Sequence, residues 1–235
     1  MTKVAVVGLG AMGSRIAGRL IAAGNEVVVW NRDNSKTVPL TQSGATAAET
    51  PAAAARRADV VITMVSNPAA LRAVTEGQDG VVAGAEDGTA IVQMSTVGPA
   101  PVQQLASALP SGVGLLDAPV LGSIAEAEAG TLHIFVGGDD EAVERWGPLL
   151  STLGQVHYVG PVGAGSAAKL WHSRAHSASL TRSLSTCSRR QPWEARPNAG
   201  ATRSSPASIR RALRSRSRRR TPISFSRRRR MPICG

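Results

Sequence analysis

The 235-residue sequence predicts an α/β fold: a doubly wound, mostly parallel sheet with helices on its faces. Three observations predict it. Short apolar, β-branched runs alternate with helical runs, which implies βαβ units. A glycine-rich turn joins the first strand to the first helix. The alternation then stops abruptly after Leu170, where an Arg/Ser-rich segment begins.

The elements follow in order. Lys3–Val7 is an apolar run closed by Gly8 and reads as a buried strand. Met12, Ile16, Leu20 and Ile21 share one face of a helix over 11–23, which Gly24 ends. Glu26–Trp30 is a second strand, 34–43 a short helix and 44–47 a small third strand. Thr50 is the expected N-cap and Pro51 the first residue of a helix reaching Arg57. Strands are expected over 60–65, 90–94, 114–117, 132–136 and 156–159. Helices are expected over 99–109, 124–129 and 140–153, with the Gly137-Gly138-Asp139-Asp140 turn capping the last of these. His133 and His157 are read as packing or surface residues. No His, Cys and carboxylate spacing suggests a metal site.

The charge divides the same way. Residues 1–169 hold 10 Lys and Arg against 15 Asp and Glu, whereas residues 170–235 hold 17 Arg against one acid, Glu194. The formal charge of +11 therefore describes neither part. Both cysteines, Cys187 and Cys234, lie in the basic part. A disulfide framework is not expected, and the usage fits a reducing, cytoplasmic location. The first strand starts too early to leave room for a signal sequence. No run of about 18 apolar residues occurs, so no membrane span is expected.

Gly8-Leu9-Gly10-Ala11-Met12-Gly13 matches G-x-G-x-x-G between a strand and a helix, the context that makes this motif specific. Gly8 permits the tight turn, Gly10 lets the backbone approach a pyrophosphate, and Gly13 lets helix and strand pack closely. The phosphates are expected at the helix N-terminus. This is a Rossmann-type dinucleotide site. At the end of the second strand, where a carboxylate selects NAD, the chain reads Asn31-Arg32-Asp33, with Ser35 and Lys36 beyond. Asn31 removes a carboxylate that would repel a 2′-phosphate, and Arg32 can pair with that phosphate. NADP is therefore expected, with NAD the alternative if Asp33 does the selecting and Arg32 is a solvated loop charge.

Three further segments follow in order. They are Gln93-Met94-Ser95-Thr96, then Asp117-Ala118-Pro119-Val120-Leu121-Gly122-Ser123 with Ala127 and Gly130, then Gly163-Ala164-Gly165-Ser166-Ala167-Ala168-Lys169. In this order and spacing, over residues 1–170, the chain resembles the β-hydroxyacid dehydrogenases. The resemblance implies a Rossmann-type domain, a long helix, and an all-helical domain that completes the substrate pocket and forms the dimer interface. It implies hydride transfer between a nicotinamide cofactor and a small 3-hydroxy or 3-oxo acid.

Carried over residue by residue, Lys169 matches the catalytic lysine. Ser95 and Thr96 match the segment lining cofactor and substrate, to which Val65 and Ser66 are added on the cofactor side. Gly122 and Ser123 match the substrate loop. Leu121 stands where that loop often has Ser, and Ser173 where the family places an Asn. Asp117 is expected to organise the substrate-loop turn. Imine reductases share the early motifs, but Lys169 argues for hydroxy-acid chemistry. A lysine acts as general base only when part of it is neutral, which requires burial or a neighbouring charge to lower its pKa.

The domain reading is thus a dinucleotide-binding domain over 1–162, the start of an interdomain helix over 163–170, and a basic low-complexity tail over 171–235. That tail is expected to be disordered or irregular, in place of the all-α domain. Two readings of it stand. Its Arg, Ser, Pro and Ala composition without Lys matches out-of-frame translation of GC-rich coding DNA. Alternatively, Arg210–Arg220 and Arg227–Arg230 form an arm that binds nucleic acid non-specifically. On the first reading, activity is impaired and the family homodimer is not expected. On the second, the body is a non-catalytic dinucleotide-binding module.

Overall fold

The computed structural model describes residues 1–177, with side chains described through Ser173. The expected tail therefore lies outside the described residues, apart from its first few positions.

The chain runs β1 (Lys3–Val7), α1 (Ala11–Ala22), β2 (Glu26–Trp30), a 3-10 turn (Asn34–Thr37), α2 (Val38–Gln42), β3 (Thr46–Ala47), α3 (Pro51–Ala55) and β4 (Val60–Thr63). It continues through α4 (Pro68–Thr75), α5 (Val81–Gly84), β5 (Ala90–Gln93), α6 (Pro99–Ala108), β6 (Gly114–Asp117) and β7 (Val120–Leu121). It closes with α7 (Ile124–Ala129), β8 (Leu132–Gly137), α8 (Asp140–Ser151), β9 (Gly154–Gly160) and α9 (Ala164–Ser177).

The sheet runs β3-β2-β1-β4-β5-β6-β8-β7, with β9 also paired to β8. The first six of these are parallel, in the order of a doubly wound nucleotide-binding sheet. β8 is antiparallel to both β6 and β7 and parallel to β9. The expected mostly parallel Rossmann-type sheet is present.

Alternating strand residues face two apolar layers. Val4, Val6, Val60 and Ile62 pack with Ile16 and Leu20 of α1 and Trp146 and Leu150 of α8. Ala5, Val7, Val61 and Ile91 pack with Ala54 of α3, Leu71 of α4 and Val102 of α6. Each fully buried Val, Leu or Ile contributes about 1.5–3 kcal/mol relative to exposure, which is why these central strands read as near-continuous apolar runs.

Caps mark several helix starts as expected. Thr50 accepts from the Ala53 amide at 3.0 Å, and Asp139 from the Ala142 amide at 2.7 Å. His133 and His157 are packing residues. Their rings stack with centroids 5.4 Å apart, and Phe135 stacks on His157. Burial, then the charge of His133, hold the His157 pKa below the usual imidazole value.

Two differences from expectation stand out. Residues 66–89, given no element in the sequence reading, form α4 and α5, and α4 is capped by Asn67 accepting from Ala70 at 2.8 Å. The helical pattern also does not stop at Leu170, because α9 continues to Ser177. No helix among the described residues is long and apolar enough to cross a membrane.

Candidate active site

The glycine turn after β1 is built by close approach. Gly8 has φ +100°, and a Cβ there would lie 2.3 Å from the Met64 carbonyl oxygen. A Cβ on Gly13 would lie 1.9 Å from the Gly8 oxygen, so α1 rests directly on the turn. Gly10 differs: a Cβ there meets nothing within 4 Å. Gly10 is the N-cap of α1, no side chain caps that end, and the first turn carries no acid. Free N–H groups and the positive end of the helix dipole thus face open space, which fits a phosphate. Leu9 is buried and Met12 packs against the core, so the side chains of these two belong to the core, while Ala11 is exposed.

A cleft of about 640 Å³ opens beside this turn, at the point where the chain leaves β1 for β2 on one side and β4 on the other. Gly8, Gly10, Asn31, Arg32, Val65 and Ser66 all line it, so residues from three separated segments converge on one cleft. Lys36 joins them. A second cleft of about 670 Å³ along α1 and α2 meets the first at Gly10 and Lys36.

Asn31 does more than lack a charge. Its Oδ1 accepts from the Leu9 amide at 2.9 Å, and its Nδ2 donates to the Asp33 carbonyl at 2.9 Å. It therefore ties the glycine turn to the end of β2. The Asp33 carboxylate accepts from the Ser35 hydroxyl at 2.7 Å and the Ser35 amide at 3.1 Å, and these bonds hold its pKa below the usual carboxylate value. Arg32 is exposed at the cleft.

Ser95 is buried at 1 % exposure, and its hydroxyl accepts from the Val65 amide at 2.8 Å. Gln93 brackets it, donating to its carbonyl at 2.9 Å and accepting from its amide at 2.5 Å. Ser95 thus braces the ends of β4 and β5, leaving its neighbour Thr96 exposed. Gly122 and Ser123 are exposed. Ser123 caps α7 in a capping box: its amide donates to the Glu126 carboxylate at 2.8 Å, its hydroxyl also meets that carboxylate, and the hydroxyl accepts from Ala125.

Lys169 projects from α9, and its Nζ donates to the Val120 carbonyl at 2.5 Å. Burial lowers its pKa from the usual lysine value. Thr96, Gly122, Ser123 and Lys169 do not line the 640 Å³ cleft. They are linked to it along the C-terminal edge of the sheet, through Val65 to Ser95 and from Gln93 to the start of the Asp117 segment, where the Ala118 amide donates to the Gln93 carbonyl at 2.8 Å.

Asp117 is where the sequence reading is corrected. Instead of organising the turn at Gly122, its carboxylate accepts from the Ser166 amide and the Ser166 hydroxyl, each at 2.7 Å. Burial raises its pKa, and the bonds from Ser166 and Gly163 oppose that rise without overcoming it. The tie of Asn31 to Leu9 and the bracket of Gln93 on Ser95 are likewise features that the sequence pattern does not predict. Asn31 could have been suspected from its place directly after β2; nothing local marks the other two.

Residues 3–160 match the family described as the NAD binding domain of 6-phosphogluconate dehydrogenase. A probable 3-hydroxyisobutyrate dehydrogenase-like 3, mitochondrial, from Arabidopsis thaliana is 38% identical over 180 residues, 76% of this chain and 57% of that one. The structure of Mycobacterium tuberculosis 3-hydroxyisobutyrate dehydrogenase with L-serine is similar at TM-score 0.71 and 30% identity, over 75% of this chain and 60% of that one. The structure of Psf3 in complex with NADP+ and 2-OPP is similar at TM-score 0.71 and 32% identity, over 74% and 62%. The chain thus spans about three fifths of the length of the relatives it matches.

Proposed function

The chain belongs to the β-hydroxyacid dehydrogenase family, and on that premise we propose that it is an NADP-dependent dehydrogenase of small 3-hydroxy acids. NADP supplies the hydride acceptor when bound. The uncapped N-terminus of α1 and the backbone of Gly8–Gly13 would hold the pyrophosphate, and Val65, Ser66 and Thr96 would border the cofactor. Arg32, with Lys36 beside it, would pair with the 2′-phosphate, which is the basis for NADP over NAD.

Lys169 would carry the proton. The observation behind this role is the half-buried Nζ held on the Val120 carbonyl with its pKa lowered by burial. A neutral amine donating one N–H to Val120 has its lone pair directed elsewhere and can take a hydroxyl proton as hydride leaves; in reverse, the ammonium returns it. The Gly122 backbone N–H would receive the substrate carboxylate, Ser123 would serve by holding that turn through its capping bonds with Glu126, and Ser95 would serve by fixing Thr96. Leu121 removes a hydroxyl from this loop, so the panel of substrates should reach beyond 3-hydroxyisobutyrate and L-serine, two of the compounds named for relatives. NADPH formation from a panel of small 3-hydroxy acids tests the reading. Turnover that disappears in Lys169→Ala supports it; NADPH binding with no turnover of any member overturns it in favour of a non-catalytic binding module.

A further inference from the structure

Thr63, Gln93 and Asp117 are register partners across β4, β5 and β6, and each is fully buried. They form a polar row at the C-terminal end of an otherwise apolar sheet. Gln93 is satisfied locally by Ser95. Asp117 instead reaches a different element, and its three donors, the Ser166 amide, the Ser166 hydroxyl and the Gly163 amide, all belong to the first turn of α9 or the residue before it.

A helix start needs its free N–H groups satisfied, and a negative charge there suits the helix dipole. A serine or asparagine within the helix's own sequence would do this without burying a charge, which is unfavourable unless fully hydrogen-bonded. What a carboxylate from β6 adds is a fixed link between sheet and helix. Close packing reinforces the link: a Cβ on Gly165 would lie 2.3 Å from the Asp117 carbonyl oxygen and 2.4 Å from that of Phe135. Lys169 stands one turn beyond Ser166 on the same face, and its Nζ ends on Val120, three residues beyond Asp117. Both ends of this short stretch of α9 are thus tied to the same strand-turn segment. The groups that hydrogen-bond the carboxylate, at Gly163 and Ser166, are neutral, and so are the Asp117 register partners Gln93 on β5 and Gly137 on β8.

We propose that Asp117 is the positioning residue for Lys169, clamping the first turn of α9 to the end of β6 so that Nζ is delivered to the Val120 carbonyl. The role rests on Lys169 being the proton carrier, but its test needs no turnover. The chain has three lysines, Lys3, Lys36 and Lys169. Reductive methylation of the full chain with ¹³C-formaldehyde gives separate NMR signals for them, assigned with Lys169→Arg, and the other two lysines serve as internal references. In Asp117→Asn and Ser166→Ala the Lys169 signal is expected to titrate at higher pH than in the unsubstituted chain, as Nζ leaves its half-buried position. An unmoved Lys169 titration in a folded Asp117→Asn chain overturns the proposal. If that variant does not fold, Ser166→Ala, which keeps the backbone donor, decides by the same readout. Failure of both to fold also overturns it, since the clamp would then hold up the domain rather than aim one side chain. A shifted Lys169 signal in a chain that shows no hydride transfer upholds the clamp and removes only the dehydrogenase reading.

Discussion

Lys169 donates from Nζ to the main-chain carbonyl of Val120, binding α9 to β7 across 49 residues of sequence. The carbonyl favours a protonated amine, and burial favours a neutral one; burial wins, and the pKa is lowered. Hydride transfer from a hydroxy acid should therefore rise with pH and level off below the range of an ordinary lysine. Lys169→Arg, which keeps the charge, should lower the rate by roughly 10²–10⁴-fold, the usual worth of a general base, and remove this limb from the pH–rate profile. A limb that persists in the arginine variant would belong to another group.

The glycine turn offers a sharp contrast. Gly13→Ala places a Cβ 1.9 Å from the Gly8 oxygen and should destabilise the chain by about 1–3 kcal/mol, as overpacking does. Gly10→Ala meets no atom within 4 Å. It should leave the melting temperature nearly unchanged and weaken NADPH binding in a fluorescence titration. Unaltered NADPH affinity in Gly10→Ala would mean that the turn serves packing alone.

Cofactor choice separates Arg32 from Asn31. Arg32 is exposed at the cleft, so Arg32→Ala should spare stability and NAD affinity. Loss of a charged hydrogen bond is worth about 1.5–3 kcal/mol, so NADP affinity should fall by on the order of ten- to a hundredfold. Asn31→Ala frees the Leu9 amide and should weaken both cofactors alike. Equal losses of NAD and NADP in Arg32→Ala would contradict the assignment of the 2′-phosphate.

Much of this arrangement is readable from sequence because its signals are local. Val4–Val7 and Val60–Ile62 are apolar on both faces and can only be central strands, and the glycine spacing names its own turn. Helix α4 also carried local signals, Asn67 as cap and Pro68 at the first helical position, which the apolar pattern alone did not bring out. α9 outlasts Leu170 because a helix already packed on β8 and β9 tolerates several residues of changed composition. The clamp of Asp117 on Ser166 spans 49 residues. No local rule tells which of two carboxylate surroundings, the turn at Gly122 or the start of α9, a buried Asp will choose.

Asp117 also gives a stability prediction whose sign is set by its raised pKa. A group with a raised folded pKa contributes stability that is full below its unfolded pKa and is lost as pH rises through the folded one. Relative to Asp117→Asn, the unsubstituted chain should therefore lose stability as pH rises through the region just above the usual carboxylate range. Thermal melts of the two chains across that region check this. A constant difference in melting temperature would show that burial does not dominate the carboxylate.

The most direct measurement is a single-turnover reaction with the full chain in excess over NADP+, mixed with a small 3-hydroxy acid and followed by NADPH absorbance. The expected result is NADPH formation that Lys169→Ala slows by about 10²–10⁴-fold. Equal rates in the two chains, or no NADPH from either while the cofactor is bound, would contradict Lys169 as the proton carrier of a dehydrogenase.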